Sequence, residues 1–237
     1  MTSLLADDPR VERPFCRHLE EGLQSLCRDM FREGMPGVRV QKEDVAVGNL
    51  LRIVEATLAV SNEKGFAAMS LRDLAGRTGL SMGGIYAYIA GKDDLVALIQ
   101  TLGGRLTRRV MAEALEPVHS PVPRLRAAIR THLRLSEALR PWFFFAYMES
   151  RLLPAELRAQ AINMERDTEA VFAGIVGEGQ AQGVFRDLDA DIAAGFIKAL
   201  VQDWYLKHGK HAERGLRVDD YADHVEALAL RFLEENR

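Results

Sequence analysis

No run of about eighteen consecutive apolar residues occurs in this sequence, so no membrane-spanning helix is expected. The start, MTSLLADDPRVERP, has early acids and no apolar segment, unlike a secretory leader. Cysteine is scarce: Cys16 and Cys27 are the only 2 in 237 residues, too few for a disulfide framework. That usage fits a reducing cytoplasm. On one straight helix the two would lie roughly 16 Å apart along the axis, too far to pair. Packing is the preferred reading for both. A basic excess is missing as well, with 31 Lys and Arg against 34 Asp and Glu and a net charge of −3. Composition alone therefore points to no polyanionic partner. There is no P-loop, no G-x-S-x-G and no H-E-x-x-H. There is also no strand-like alternation of convincing length, no internal repeat and no low-complexity tract. What remains is an all-α globular protein, long enough for one large or two small domains.

The informative stretch is SLRDLAGRTGLSMGGIYAYIAGKDDL, residues 70–95. Ser70 and Asp73 form an S-x-x-D capping box, so a helix starts at Leu71. Leu71, Leu74, Ala75 and Thr78 share one face at helical spacing. Gly79 can take the left-handed conformation that ends a helix. Ser81 caps a second helix, Met82 to Tyr88, which Gly91 ends. Lys92-Asp93-Asp94 opens the next helix, with acids where its dipole favours them. Two short helices across a tight turn are the layout of a DNA-reading helix-turn-helix.

GLSMGGIYAYIAGKDDL resembles the recognition-helix signature of the TetR family of bacterial transcriptional regulators. The similarity extends back through GNLLRIVEATLAVSNEKGFAAMSLRDLAGRTG and spans roughly residues 48–96. There an apolar helix, Ile53 to Lys64, precedes Gly65-Phe66 and the Ser70 cap. The resemblance implies an all-α fold in which an N-terminal helix-turn-helix three-helix DNA-binding domain is followed by a helical ligand-binding and dimerisation domain. Here these would be residues 47–95 and 96–237, with 96–116 as a connecting helix. It also implies a homodimer, a double-stranded DNA operator and a small-molecule effector. Two symmetric readers require a pseudo-palindromic operator. By resemblance, phosphate contacts fall on Tyr86, Tyr88 and Lys92. The chain departs from the family pattern at Tyr88, where His is common, and at Ile89, where an aromatic is usual.

The N-terminal residues of the second helix, Ser81, Met82, Gly83 and Gly84, should lie nearest the base edges. The glycines let backbone and DNA come close but remove side-chain readout. Met82 suits a thymine methyl, and Ser81 or Thr78 a base or a phosphate. Arg72 is the best candidate for guanine, or else holds phosphate. Within 47–95 the bases Arg52, Lys64, Arg72, Arg77 and Lys92 equal in number the acids Glu55, Glu63, Asp73, Asp93 and Asp94. So neutral a reader should lean on DNA shape and on a second copy.

Residues 1–46 form an N-terminal extension. Phe15, Leu19, Leu23, Leu26 and Met30 mark an amphipathic helix from Glu12 to Glu33. Arg10, Arg13 and Arg17 are candidates there for a minor-groove contact. Downstream, helices are expected over Lys92–Leu115, Arg124–Arg140, Trp142–Leu153, Pro154 to about Gln182, Asp191–Lys207 and Asp219–Glu234. Pro117 to Pro123 and His208 to Arg217 read as loops. Gly103-Gly104 marks either a kink or close packing.

The run Trp142-Phe143-Phe144-Phe145-Ala146-Tyr147-Met148 is either a buried central helix or the wall of an apolar cavity. In the second reading Trp142, Phe145 and Met148 line a ligand site with Met164, Phe172, Phe196 and Trp204. Arg151, Arg166 and Asp203 are its candidate polar anchors, or else a solvated helix face. WFFFAYMESRLLP, EGQAQGVFRD and QDWYLKHGK resemble family members that sense lipids or acyl thioesters. That resemblance implies an acyl-coenzyme A effector, with a planar aromatic molecule as the rival. Ile197, Leu200 and Val201 on one helix and Val225, Leu228 and Phe232 on another are candidates for a four-helix dimer interface, or for an intramolecular core. His208 and His211 read as surface histidines, and neither a metal nor a cofactor is expected. The whole describes a cytoplasmic, homodimeric repressor released from DNA by an apolar or acyl-thioester ligand. The alternatives are a dimeric small-molecule-binding protein that has lost specific DNA recognition, and an enzyme built on the helical domain.

Overall fold

A computed structural model of the chain describes residues 13–35, 38–150 and 154–234. Those residues form eleven helices and no strand. In chain order they are α1 (Arg13–Arg32), α2 (Glu43–Lys64), α3 (Leu71–Thr78), α4 (Met82–Tyr86), α5 (Lys92–Leu115), α6 (Pro121–Ala138), α7 (Arg140–Glu149), α8 (Ala155–Ala181), α9 (Ala190–Leu206), α10 (His208–Glu213) and α11 (Val218–Leu233). Packing divides the chain into two units, Met1–Leu106 with Pro141–Ala161, and Thr107–Arg140 with Ile162–Arg237. The division falls inside α5, and it assigns most of α7 to the first unit.

In the first unit α2 is the central helix. Leu50, Ile53 and Val54 are fully buried, and Ala46, Val47, Thr57 and Leu58 bury much of its remaining surface. A helix apolar on most sides needs neighbours on most sides. One neighbour is α1, which presents Leu19, Leu23, Leu26, Cys27 and Met30. Burial pushes the Cys27 thiol up to about 12, so it packs and is no nucleophile. Gly22 lets α1 approach α5, since a Cβ there would lie 3.1 Å from the Leu106 Cδ1. Ion pairs fasten the edges: Arg105 meets Glu33 at 2.8 Å, and Arg32 donates to both oxygens of Glu43 at 2.8 Å.

The aromatic run on α7 serves this unit. Trp142 and Phe145 lie one turn apart and are buried, whereas Phe144 and Met148 are exposed. The Trp142 indole N–H donates to the Ile99 carbonyl on α5 at 3.0 Å. The Phe145 ring meets Phe66 edge-on, with centroids 5.2 Å apart. Trp142 and Phe145 therefore pack α7 onto α5 and the α2–α3 turn, as the buried-helix alternative expects.

In the second unit α6, α9 and α11 pack together with the later part of α8. Their shared core includes Leu125, Ile129, Leu133, Phe172, Val176, Ile197, Val201, Trp204 and Val225. Arg126, Arg130 and Arg134 recur every fourth residue, so they line one face of α6. They meet Asp219, Asp223 and Glu226 of α11, with Arg134–Asp219 at 2.9 Å, Arg130–Asp223 at 2.7 Å and Arg130–Glu226 at 2.8 Å. The expected loop after residue 207 instead carries the short helix α10. There His211 is buried, stacked on Trp204 at 5.2 Å, and its Nε2 lies 2.9 Å from the Asp203 carboxylate. The reading of His211 as a surface residue is corrected accordingly. Among the described residues no group of side chains is arranged to hold a metal ion, and no helix is long and apolar enough to cross a membrane.

Candidate functional site

The helix-turn-helix is built by local capping. Ser70 Oγ accepts from the Asp73 N–H at 3.3 Å, and Asp73 accepts from the Ser70 N–H at 2.7 Å. Lys64 sits 2.6 Å from the same carboxylate. Lys64, and then Ser70, hold the Asp73 carboxyl well below the usual carboxylate range. Gly79 ends α3 with φ at +69°, a conformation that favours glycine. Across the turn, Ser81 Oγ accepts from the Gly84 N–H at 3.0 Å and starts α4. Ile85 is the buried anchor of α4, which leaves Gly83 and Tyr86 facing outward.

One cap was not visible in the sequence. Arg52 of α2 donates to the Thr78 carbonyl at the end of α3. It satisfies one of the carbonyls that every helix C-terminus leaves open. The partners are 26 residues apart, so no local pattern announces the contact.

The nine candidate DNA residues divide into two sets. Arg72, Ser81, Gly83 and Tyr86 are exposed, and Met82 and Gly84 are partly exposed. The other three are engaged inside the module. Thr78 is buried, with its hydroxyl donating to the Leu74 carbonyl at 2.7 Å. Tyr88 is buried, and its hydroxyl accepts from the Asn49 amide at 2.9 Å. Lys92 donates to the carbonyls of Phe66 and Ala67 and lies 4.5 Å above the Phe66 ring centroid. These three help hold the helices of the module together. Arg77 in turn pairs with Glu63 at 2.9 Å. Of the module's own cations, Arg72 alone has no ion pair or side-chain hydrogen bond among the described residues.

The candidate effector residues fall in both units. Trp142, Phe145 and Met148 belong to the first unit; Met164, Phe172, Phe196 and Trp204 belong to the second. Within the second unit Phe172 and Trp204 are core, Met164 is half-buried and Phe196 is exposed. The Trp204 indole N–H donates to Glu137 at 2.7 Å. Asp203 is already taken by His211 and Lys207, Arg166 is exposed, and Arg151 lies outside the described residues. The dimer candidates divide in the same way. Ile197, Val201 and Val225 are buried in the unit's own core, which corrects their assignment to an interface. Leu200 and Phe232 are half-buried. Ile192, Phe196 and Leu228 are 55%, 56% and 55% exposed and form the outward apolar stripe.

A polar pair lies deep in the second unit, where Lys198 Nζ is 3.2 Å from His132 Nε2. Burial brings Lys198 down to about 8, with Glu165 and Glu169 opposing the shift. Burial and the neighbouring Lys198 push His132 well below its usual range, so the ring is neutral and accepts from the ammonium. Folded Lys198 loses its proton near pH 8, while the unfolded chain keeps it to about 10.5. Between those values the unfolded state binds more protons, so this group makes stability rise with pH. Lys198→Met should remove that rise. Urea denaturation from pH 7 to pH 10 should show wild type gaining on the variant by up to about 3 kcal/mol. A difference independent of pH would contradict the assignment.

Two family models account for most of the chain. Residues 53–99 match bacterial regulatory proteins of the tetR family, and residues 118–233 match the tetracyclin repressor-like C-terminal domain. The HTH-type transcriptional regulator HbdR from Aromatoleum sp. (strain CIB) is 25% identical over 168 residues, covering 69% of this chain and 71% of HbdR. The TetR family regulator PfmR from Thermus thermophilus superposes with a TM-score of 0.69 at 28% identity, over 78% of this chain and 100% of that one. FadR from Bacillus subtilis, solved in complex with stearoyl-CoA, has the same fold with a TM-score of 0.67 at 20% identity, over 78% of this chain and 99% of its own. Helix α1 precedes both matched segments. By these matches and by its helix-turn-helix, the chain belongs to the TetR family of bacterial transcriptional regulators.

Proposed function

We propose that this chain is a homodimeric transcriptional repressor that grips a pseudo-palindromic operator through α4 and leaves it when a fatty acyl thioester binds the second unit. The observation that carries the DNA half is the face of α4. Ile85 is fully buried while Tyr86, the next residue, is 49% exposed beside the bare backbone of Gly83 and Gly84. That arrangement lets a helix backbone approach DNA closely with one aromatic hydroxyl ready for phosphate. Homodimers are typical of the family, and the stripe Ile192, Phe196 and Leu228 on α9 and α11 suits a second copy. The effector class rests on the resemblance to acyl-thioester sensors and on the stearoyl-CoA bound by FadR of Bacillus subtilis.

The test is fluorescence anisotropy of the purified chain on a duplex from upstream of its own gene. Tyr86→Ala should weaken binding about tenfold or more, from roughly 1 kcal/mol lost at each of two symmetric sites. Acyl-coenzyme A of increasing chain length should release the duplex, and by linkage the duplex should weaken acyl-coenzyme A binding by the same factor. Tight acyl-coenzyme A binding with no site-dependent DNA binding would instead identify a binding protein that has lost its reader.

A further inference from the structure

The helix-turn-helix leaves a shortage of positive charge at its surface. Lys64, Arg77, Arg52 and Lys92 are all held by partners within the module. A DNA reader draws much of its affinity from neutralised phosphates, and Arg72 alone is a meagre supply.

The missing charge stands in the segment between α1 and α2, upstream of both family-matched regions. Arg39 and Lys42 are exposed, and neither side chain has an ion pair or hydrogen bond among the described residues. The position of Arg39 is fixed by its backbone. Its N–H donates at 2.9 Å to the carbonyl of Ala87, the residue that caps the end of α4. Arg39 is thereby placed beside the DNA-facing helix, next to the exposed Tyr86.

Two arginines of α1 pair with the acids nearby. Glu43 and Asp44 open α2 just after Lys42 and would repel phosphate. Arg32 of α1 takes both oxygens of Glu43 at 2.8 Å, and Arg28 lies 3.6 Å from Asp44. Arg32 also holds the Glu43 carboxyl below its usual range. Helix α1 thus commits two arginines to the acids, and the segment after it delivers a third, Arg39, to the edge of α4.

We infer that Arg39, supported by Lys42, is a DNA-phosphate contact that the N-terminal extension supplies to the recognition helix. This rests on the DNA-binding half of the proposed function. It needs no effector and no particular base sequence.

The experiment uses the full chain and a duplex selected by wild type from a random pool, with affinity measured across a salt series. Arg39→Ala should lower the slope of log K against log salt by about 2 for a dimer, close to 0.9 for each lost phosphate contact. Affinity should fall by a similar factor on selected and unselected duplexes. Arg39→Lys should restore most of the slope. Equal thermal unfolding of the variants and wild type confirms that folding is intact, as expected for an exposed side chain. An unchanged slope in Arg39→Ala, with wild type binding normally, overturns the inference and leaves the proposed function standing. A loss confined to the selected sequence, or no recovery with lysine, overturns phosphate as the target. Wild type that binds no duplex overturns both readings.

Discussion

Replacing Glu137 by alanine should destabilise the second unit by about 3–5 kcal/mol, the usual cost of removing one partner from a buried charge pair. Glu137 is 1% exposed and serves several groups at once. It accepts from the Trp204 indole at 2.7 Å and from Arg140 at 3.3 Å, and it lies 3.6 Å from His208 Nε2. Alanine would leave the indole N–H without its acceptor. It would also leave the Arg140 guanidinium facing His208 with no counter-charge, and both groups are partly or fully shielded from water. Glu137→Gln should cost less, about 1–3 kcal/mol, because an amide oxygen can still accept from Trp204. Denaturant unfolding of the full chain measures both. An alanine variant within about 1 kcal/mol of wild type would mean that the network contributes little net stability, as buried ion pairs sometimes do.

The second large effect is expected at Gly103, and there its sign matters more than its size. At a solvated kink, alanine in place of glycine would stabilise α5 by about 1 kcal/mol through helix propensity. The structure predicts the opposite. A Cβ on Gly103 would overlap the Trp142 Nε1 and lie 3.0 Å from its Cε2. The indole cannot retreat without losing its bond to the Ile99 carbonyl, and it is 2% exposed in a packed interior. Overpacking of this kind costs about 1–3 kcal/mol. Gly103→Ala should therefore destabilise the first unit by about 2 kcal/mol and lower its melting midpoint. A higher midpoint would mean that glycine serves motion at this position. In the structure α5 runs as one helix from Lys92 to Leu115, and Gly103 is where α7 lies against it.

These sites show what sequence reading reached and where it stopped. The capping box at Ser70 and Asp73, the left-handed Gly79 and the Ser81 cap were legible because each is made within a few residues. The all-α class and most helix spans followed from the same punctuation. The inward turn of Thr78 follows from its helical spacing with Leu71 and Leu74, but those of Tyr88 and Lys92 are not legible. Their partners Asn49, Phe66 and Ala67 lie more than a helix away from Tyr88 and Lys92, and an exposed tyrosine reads the same as a buried one.

Helix α9 posed the same problem of facing. Phe196 and Ile197 are adjacent and both apolar, yet one is 56% exposed and the other 1%. Only the packing of α6 and α11 decides which of them turns inward. The WFFF run stays open between core helix and cavity wall in the sequence for a related reason. Trp142 and Phe145 had suitable partners in the first unit, at Gly103 and Phe66, that sequence proximity did not reveal.

The central claim is that this chain reads a defined DNA sequence as a symmetric pair. Selection from a random duplex pool by the purified full chain, followed by sequencing of the bound fraction, tests it most directly. The account predicts one enriched pseudo-palindrome, with half-sites separated by about one helical turn or a multiple of it, and loss of that enrichment in Tyr86→Ala. A bound fraction as random as the input would contradict it.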